Sequence, residues 1–173
     1  DYNAVRLWGL YKRRFYLIDC FVKQCKMGGA INWICETDKE LEERTKKDLY
    51  IRWQYEAQFY NDEVERTIRE TKEYHGSELS LNQVDRPRAN KYDRILSTQV
   101  YYHNGRIYYN EDLKSHNDTQ QGIAQLLGIE PGYKGHDDAP DADEAALKEL
   151  SSRVPSGDGT DVILGQRYTN KLV

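Results

Sequence analysis

The alternation of apolar and polar residues predicts two adjacent strands near the beginning of the chain. Residues 4–11 place Val5 and Leu7 on one side of a short strand and Arg6 and Trp8 on the other. A polar turn at residues 12–14 is followed by 15–22, a second segment rich in strand-forming side chains. We therefore predict an antiparallel hairpin.

Helical and strand periods alternate along the rest of the chain. Apolar residues recur at helical spacing in 27–48 and 57–74, and an apolar strand at 49–56 separates these two helices. Further strands are predicted at 77–85 and 106–110, and further helices at 91–105, 119–127 and 140–153. This order predicts an α/β fold with helices on the faces of a sheet. We predict one domain over residues 1–150 and a C-terminal extension over residues 151–173.

Composition restricts the class of protein. The chain has 173 residues, 38% of them hydrophobic, and a net charge of -4, which argues against a broadly basic surface. No apolar run approaches the length of a membrane span, so we expect no membrane partner. Cys20, Cys25 and Cys35 lack metal-ligand spacing and are expected to be free thiols.

The densest group of acids lies in the stretch GHDDAPDADEAAL, residues 135–147. Pro140 suits the first position of a helix, and Asp143 and Glu144 would then face the positive end of the helix dipole. Asp137, Asp138 and Asp141 exceed what capping requires. Clustered carboxylates repel unless a cation neutralises them, and hard divalent cations prefer such oxygen ligands.

Glu56 strengthens the prediction of a metal site. It ends the apolar strand LYIRWQYE, and functional groups in open α/β sheets gather beyond the carboxyl ends of strands. An ordinary solvent-exposed glutamate is the alternative reading of this residue. If Glu56 faces the aspartates, the acids could hold two metal ions for phosphodiester hydrolysis.

Five segments together resemble the nuclease domain of the large terminase subunit of tailed phages. They are DYNAVRLWGLYKRRFYLIDCFV, WQYEAQFYND, RPRANKYDRI, GRIYYN and GHDDAPDADEAAL, in this order over roughly residues 1–150. The resemblance implies a ribonuclease H-like mixed β-sheet flanked by helices. It also implies cleavage of double-stranded viral DNA concatemers with two Mg²⁺ or Mn²⁺ ions during genome packaging, in the cytoplasm of the host cell.

The resemblance assigns catalytic and metal-binding roles to four acids. Glu56 matches the acid of the central strand, and Asp137 and Asp141 match the acids of the late helix, with Asp138 as a further metal ligand and the alternative to Asp137. The family's first acid lies on a strand that precedes DYNA, so we expect that strand to be missing from this chain. Asp161, before the strand-like VILG, is a less favoured substitute.

The resemblance also concerns the residues that contact DNA and the protein partners. The resemblance implies that four basic residues contact DNA phosphates, namely Arg86, Arg88, Lys91 and Arg94; a solvated helix face is the alternative. The resemblance implies three protein partners: the small terminase subunit, the portal and an ATPase domain of the same polypeptide. Two alternatives stay open at this point, namely another ribonuclease H-like nuclease such as a junction resolvase, and a non-catalytic module that docks on DNA or the portal.

Overall fold

A six-stranded mixed sheet organises the part of the chain that the structure describes. This computed structural model describes residues 2–46, 50–56, 61–85 and 87–153, and the backbone of residues 163–169. The strands are β1 (Asn3–Tyr11), β2 (Arg14–Lys23), β3 (Ile51–Glu56), β4 (Leu81–Val84), β5 (Ile107–Tyr109) and β6 (Ile163–Thr169). The helices are α1 (Met27–Thr45), α2 (Asp62–His75), α3 (Lys91–Ser97), α4 (Gln99–His103), α5 (Asn117–Leu127) and α6 (Asp138–Ser152).

The predicted hairpin is confirmed. β1 and β2 are antiparallel, and Tyr11 pairs with Arg14, so that Lys12 and Arg13 alone connect the strands. Both connecting residues have positive φ, 48° and 60°. Two-residue turns of this kind match the right-handed twist of the flanking strands.

The strand order is β4-β3-β6-β1-β2-β5. β3 is parallel to β4 and to β6, whereas β1 is antiparallel to β6 and to β2. β6 thus lies between β3 and β1, although the sequence pattern assigned residues 163–169 to an extension. An inner position of the sheet, where we expected a strand to be missing, is filled by a strand from the end of the chain.

β1 is buried on both faces because helices cover each side of the sheet. Leu7 packs with Ile31 of α1 in one apolar cluster. Its neighbour Trp8 points to the other face and packs with Leu147 of α6. The predicted α/β arrangement, a mixed sheet with helices on its faces, is therefore confirmed at this level.

The predicted helix over residues 91–105 is wrong in one respect, because the chain forms two short helices, α3 and α4. Thr98 lies between them, and its Oγ1 donates a hydrogen bond to the carbonyl of Ile95 at 2.7 Å. A threonine hydroxyl that bonds a nearby carbonyl in this way competes with the helical pattern.

The remaining elements differ from prediction mainly at their ends. The predicted strand over 77–85 is confined to β4, and the last helix begins at Asp138 rather than at Pro140. Residues 57–60, the predicted start of the second helix, lie outside the described residues.

All three cysteines are free, with Cys20 and Cys35 buried and Cys25 exposed. Within the described residues, no helix combines the length and apolar character of a membrane span.

Candidate functional site at the start of the last helix

Glu56 is the last residue of β3 and is 3% exposed. Successive side chains of a strand point to opposite faces. Trp53 and Tyr55 pack in the cluster with α1, whereas Gln54 donates a hydrogen bond to Glu149 of α6 at 3.4 Å. By this alternation Glu56 lies on the face of the sheet that α6 covers.

α6 runs along β1 in the same direction. At its start, the backbone N–H of Tyr2 donates to Asp138 Oδ2 at 3.3 Å, and one turn later the indole of Trp8 donates to Asp143 Oδ1 at 2.6 Å. β1 is antiparallel to β6, and β6 is parallel to β3. The start of α6 therefore lies at the carboxyl end of β3, the end that carries Glu56.

The register gives the separation between Glu56 and this helix start. Ala4 of β1 pairs with Thr169 of β6, and Tyr55 of β3 pairs with the preceding residue of β6, Tyr168. Ala4 and Glu56 are consequently level with each other, two strand spacings or about 10 Å apart. Since Ala4 packs against Ala139 of α6, the first turn of α6 packs on the sheet at the level of Glu56.

Two cations from α3 lie among the acids of α6. Lys91 Nζ is 2.7 Å from Asp137 Oδ1 and 3.3 Å from Asp141 Oδ2. Arg94 Nη2 is 2.7 Å from Asp141 Oδ1, and its Nη1 bonds Glu144. The side chain of Arg94 is only 9% exposed, so this guanidinium is held inside the cluster rather than presented to solvent.

These ion pairs change how the acidic stretch is understood. The sequence suggested that a metal ion neutralises the clustered carboxylates, and in this structure Lys91 and Arg94 carry that positive charge. Within residues 2–46, 50–56, 61–85 and 87–153, no three His, Cys, Asp or Glu side chains form a group that could hold a metal ion. The spacing of three between Lys91 and Arg94, which puts both on one face of α3, was the available sequence signal.

Asp143 has a structural role that sequence reasoning missed. Its carboxylate accepts hydrogen bonds from Arg6 Nε at 2.7 Å, from Arg6 Nη2 at 3.2 Å and from the Trp8 indole. The pair is buried, with side-chain exposures of 0% for Arg6 and 4% for Asp143. Asp143 and Glu144 lie near the start of α6, as expected, but each is also paired with an arginine, Asp143 with Arg6 and Glu144 with Arg94.

The charges of this buried pair affect neighbouring groups. Burial, the largest single influence, would lower the pKa of Arg6, but the charge and hydrogen bonds of Asp143 together with Cys20 and Tyr109 outweigh it, and the pKa is raised. Burial and the charge of Asp143 both raise the pKa of Tyr102 and of Tyr109. Arg6 and both tyrosines therefore keep their protons at neutral pH.

The other residues predicted for the site lie apart from this cluster or outside the described residues. Arg88 is exposed and, within the described residues, has no ion pair. Arg86 and Asp161 lie outside the described residues. A cavity of about 510 Å³ is lined by Tyr55 and α2, on the face of the sheet opposite to Glu56, so it is not part of the acidic site.

No protein-family model and no curated protein matches the sequence.

Proposed function

We propose that the chain is a metal-dependent endonuclease domain with a ribonuclease H-like fold, related to the large terminase subunits of tailed phages. One observation carries the proposal most directly. Glu56 and the start of α6, with Asp137, Asp138 and Asp141, share one face and one end of the sheet. The segments that contain these acids are two of the five that resemble the terminase nuclease family.

The donor chemistry of these acids fits a hard divalent cation. Asp138 and Asp141 are 2% and 4% exposed, and carboxylate oxygens in such surroundings are suitable ligands for Mg²⁺ or Mn²⁺. When bound, two such ions would activate the attacking water and stabilise the leaving oxygen of a phosphodiester. Glu56, Asp137, Asp138 and Asp141 are the residues we propose to hold them.

The ion pairs of α3 impose a condition on this site. Because Lys91 and Arg94 already neutralise Asp137 and Asp141, a divalent cation has to compete with them for the same oxygens. We expect Lys91 and Arg94 to move onto DNA phosphates when the acids bind metal. The two residues would then neutralise the acids in the free protein and contact DNA in the complex.

A second function is favoured by a specific observation. β6 occupies the inner strand position beside β3, yet its sequence ILGQRYT contains no carboxylate. If no first acid is supplied there, the domain would bind DNA or a protein partner such as the portal without cutting. The partners we propose for the nuclease are double-stranded DNA, the small terminase subunit, the portal and a linked ATPase domain.

A plasmid-nicking assay with Mn²⁺ or Mg²⁺ tests the proposal. We expect Glu56→Ala and Asp141→Ala each to reduce the cleavage rate by at least about 100-fold, the scale of a lost catalytic group. Glu43→Gln is the matched control, because Glu43 is an exposed acid on α1, away from the cluster.

Metal titration by calorimetry separates the two functions. Mn²⁺ binding that is weakened by Asp141→Ala, together with cleavage, supports the nuclease. DNA binding with no cleavage at any metal concentration supports the docking module. Full activity of both alanine variants in an active preparation would rule out our site assignment.

A further inference from the structure

Four cationic side chains surround the turn of the β1–β2 hairpin. Lys12, Arg13 and Arg14 follow one another and are exposed, and Arg106 lies beside them immediately before β5. None of the four forms an ion pair with any residue that the structure describes. We call these four residues the hairpin cluster. In a chain of net charge -4, it is a concentrated positive patch.

Two hydrogen bonds connect Arg106 to the hairpin. Arg106 Nε donates to the carbonyl of Arg13 at 2.6 Å, and the N–H of Phe15 donates to the carbonyl of Arg106 at 2.7 Å. The turn residues Lys12 and Arg13 adopt positive φ although neither is glycine. Such backbone costs on the order of 1 kcal/mol per residue and persists where the surroundings enforce it.

Aromatic rings lie between the cations. Lys12 Nζ is 5.2 Å from the ring of Tyr11, and the guanidinium of Arg14 is 5.6 Å from the ring of Tyr108. Tyr108 also stacks on Tyr16, with ring centroids 5.2 Å apart. Tyr11 and Tyr108 are each 39% exposed, so part of each ring is available to a ligand.

The hairpin cluster and the acidic site lie at opposite ends of β1. Tyr2, just before β1, contacts Asp138, whereas Tyr11 at the far end adjoins the turn. At roughly 3.4 Å per residue, the strand separates the two regions by about 27 Å. The cluster is therefore a separate surface from the cations of α3.

We propose that the hairpin cluster binds the phosphodiester backbone of a nucleic acid. Four cations that form no ion pair within the described residues provide the charge, and the exposed parts of Tyr11 and Tyr108 provide aromatic surface for the bases. An acidic polypeptide would use the charges but would leave the rings without a stacking partner. The inference goes beyond the proposed nuclease, because it requires neither metal nor cleavage.

Fluorescence anisotropy in EDTA tests this inference without any cleavage. The probes are a labelled 20-nucleotide single strand and the duplex of the same sequence. The test protein is the full chain carrying Arg13→Gly and Arg14→Gln, in which glycine suits the positive φ at position 13. The control carries Arg44→Gln and Arg66→Gln, since both arginines are exposed and lie on helices away from the turn.

We expect the hairpin variant to bind at least about tenfold more weakly at low salt. Loss of two phosphate contacts should reduce the slope of log Kd against log salt by about 1.8 for the duplex and about 1.4 for the single strand. Because both substitutions remove charge and keep the tyrosine rings, a loss of affinity for both probes supports contact of these arginines with the backbone. The control variant should bind like the unmodified protein.

Two results would overturn the inference. The first is an unchanged Kd and salt slope in a hairpin variant whose circular dichroism shows that it is folded. The second is an equal loss of affinity for polyglutamate, which would assign the surface to an acidic polypeptide. Because Glu56→Ala leaves the cluster intact, normal DNA binding by that variant in EDTA distinguishes failure of the nuclease proposal from failure of this one.

Discussion

Replacing Asp143 with alanine should destabilise the fold more than any exposed acid-to-alanine change. The substitution leaves the guanidinium of Arg6 buried at 0% side-chain exposure with no carboxylate to neutralise it. It also removes the acceptor of three hydrogen bonds, two from Arg6 and one from Trp8. A buried charge that loses its partner retains the cost of leaving water without the compensating attraction.

The expected loss is about 3–5 kcal/mol in the free energy of unfolding, the range for breaking a buried ion pair from one side. Total stability of a domain is only about 5–15 kcal/mol, so a large fraction would be lost. With a denaturant dependence of roughly 2 kcal/mol per molar urea, the midpoint should fall by about 2 M.

Urea unfolding followed by circular dichroism measures this change. Glu149→Ala is the control on the same helix: its side chain is 26% exposed, and its ion pairs should contribute less than about 1 kcal/mol. The double variant Arg6→Met, Asp143→Leu should recover most of the loss, because it removes both charges together. A loss below about 1 kcal/mol in Asp143→Ala, or a double variant no more stable than the single one, would refute this reasoning.

Three further predictions concern packing, pH and the sheet. Gly122→Ala should lower the free energy of unfolding by about 1–3 kcal/mol, because the new Cβ would lie 2.6 Å from a guanidinium nitrogen of Arg6, which Asp143 holds in place. Gly28→Ala is the control: its Cβ meets only ordinary contact at 3.7 Å, so the change should be neutral or stabilising in thermal melts. Burial raises the pKa of Asp38 in the folded state above its ordinary value, against the opposing hydrogen bond from Trp53. The folded state then binds more protons, so this carboxyl lowers stability as pH rises from 3.8 through the folded pKa. In urea titrations Asp38→Asn should therefore gain stability relative to the unmodified protein as pH rises through that range; a constant difference between the two would contradict this. Deleting residues 154–173 should lower the melting temperature and promote association, since it exposes the ladder edges of β1 and β3; a monomer of unchanged stability would show that β6 does not support the sheet.

The local periodicities of the chain were enough to predict the main elements of the fold. The alternation in residues 4–11 and 15–22 predicts the hairpin because side chains of a strand point alternately to two faces. The position of Glu56 at the end of an apolar strand, and the acidic start of a late helix, were likewise visible in the sequence. Each of these features depends on residues close together in the chain.

The partners of the charged residues could not be predicted in the same way. Lys91 and Asp137 are 46 residues apart, and Arg6 and Asp143 are 137 apart. Whether such groups meet depends on which helix packs on which face of the sheet. The pattern therefore marked Asp137 and Asp141 as candidate ligands of a cation but did not identify Lys91 as a cation beside them.

The sequence by itself determined that the chain alternates strands and helices, and that its acids gather at a strand end and a helix start. Local spacing carries that information because it sets which side chains share a face. Only the tertiary structure decided that β6 fills the position between β3 and β1, that Asp143 neutralises a buried arginine, and that α3 places two cations in the acidic site. These outcomes follow from packing distant segments together, where burial makes an unpaired charge or an open strand edge too costly to leave.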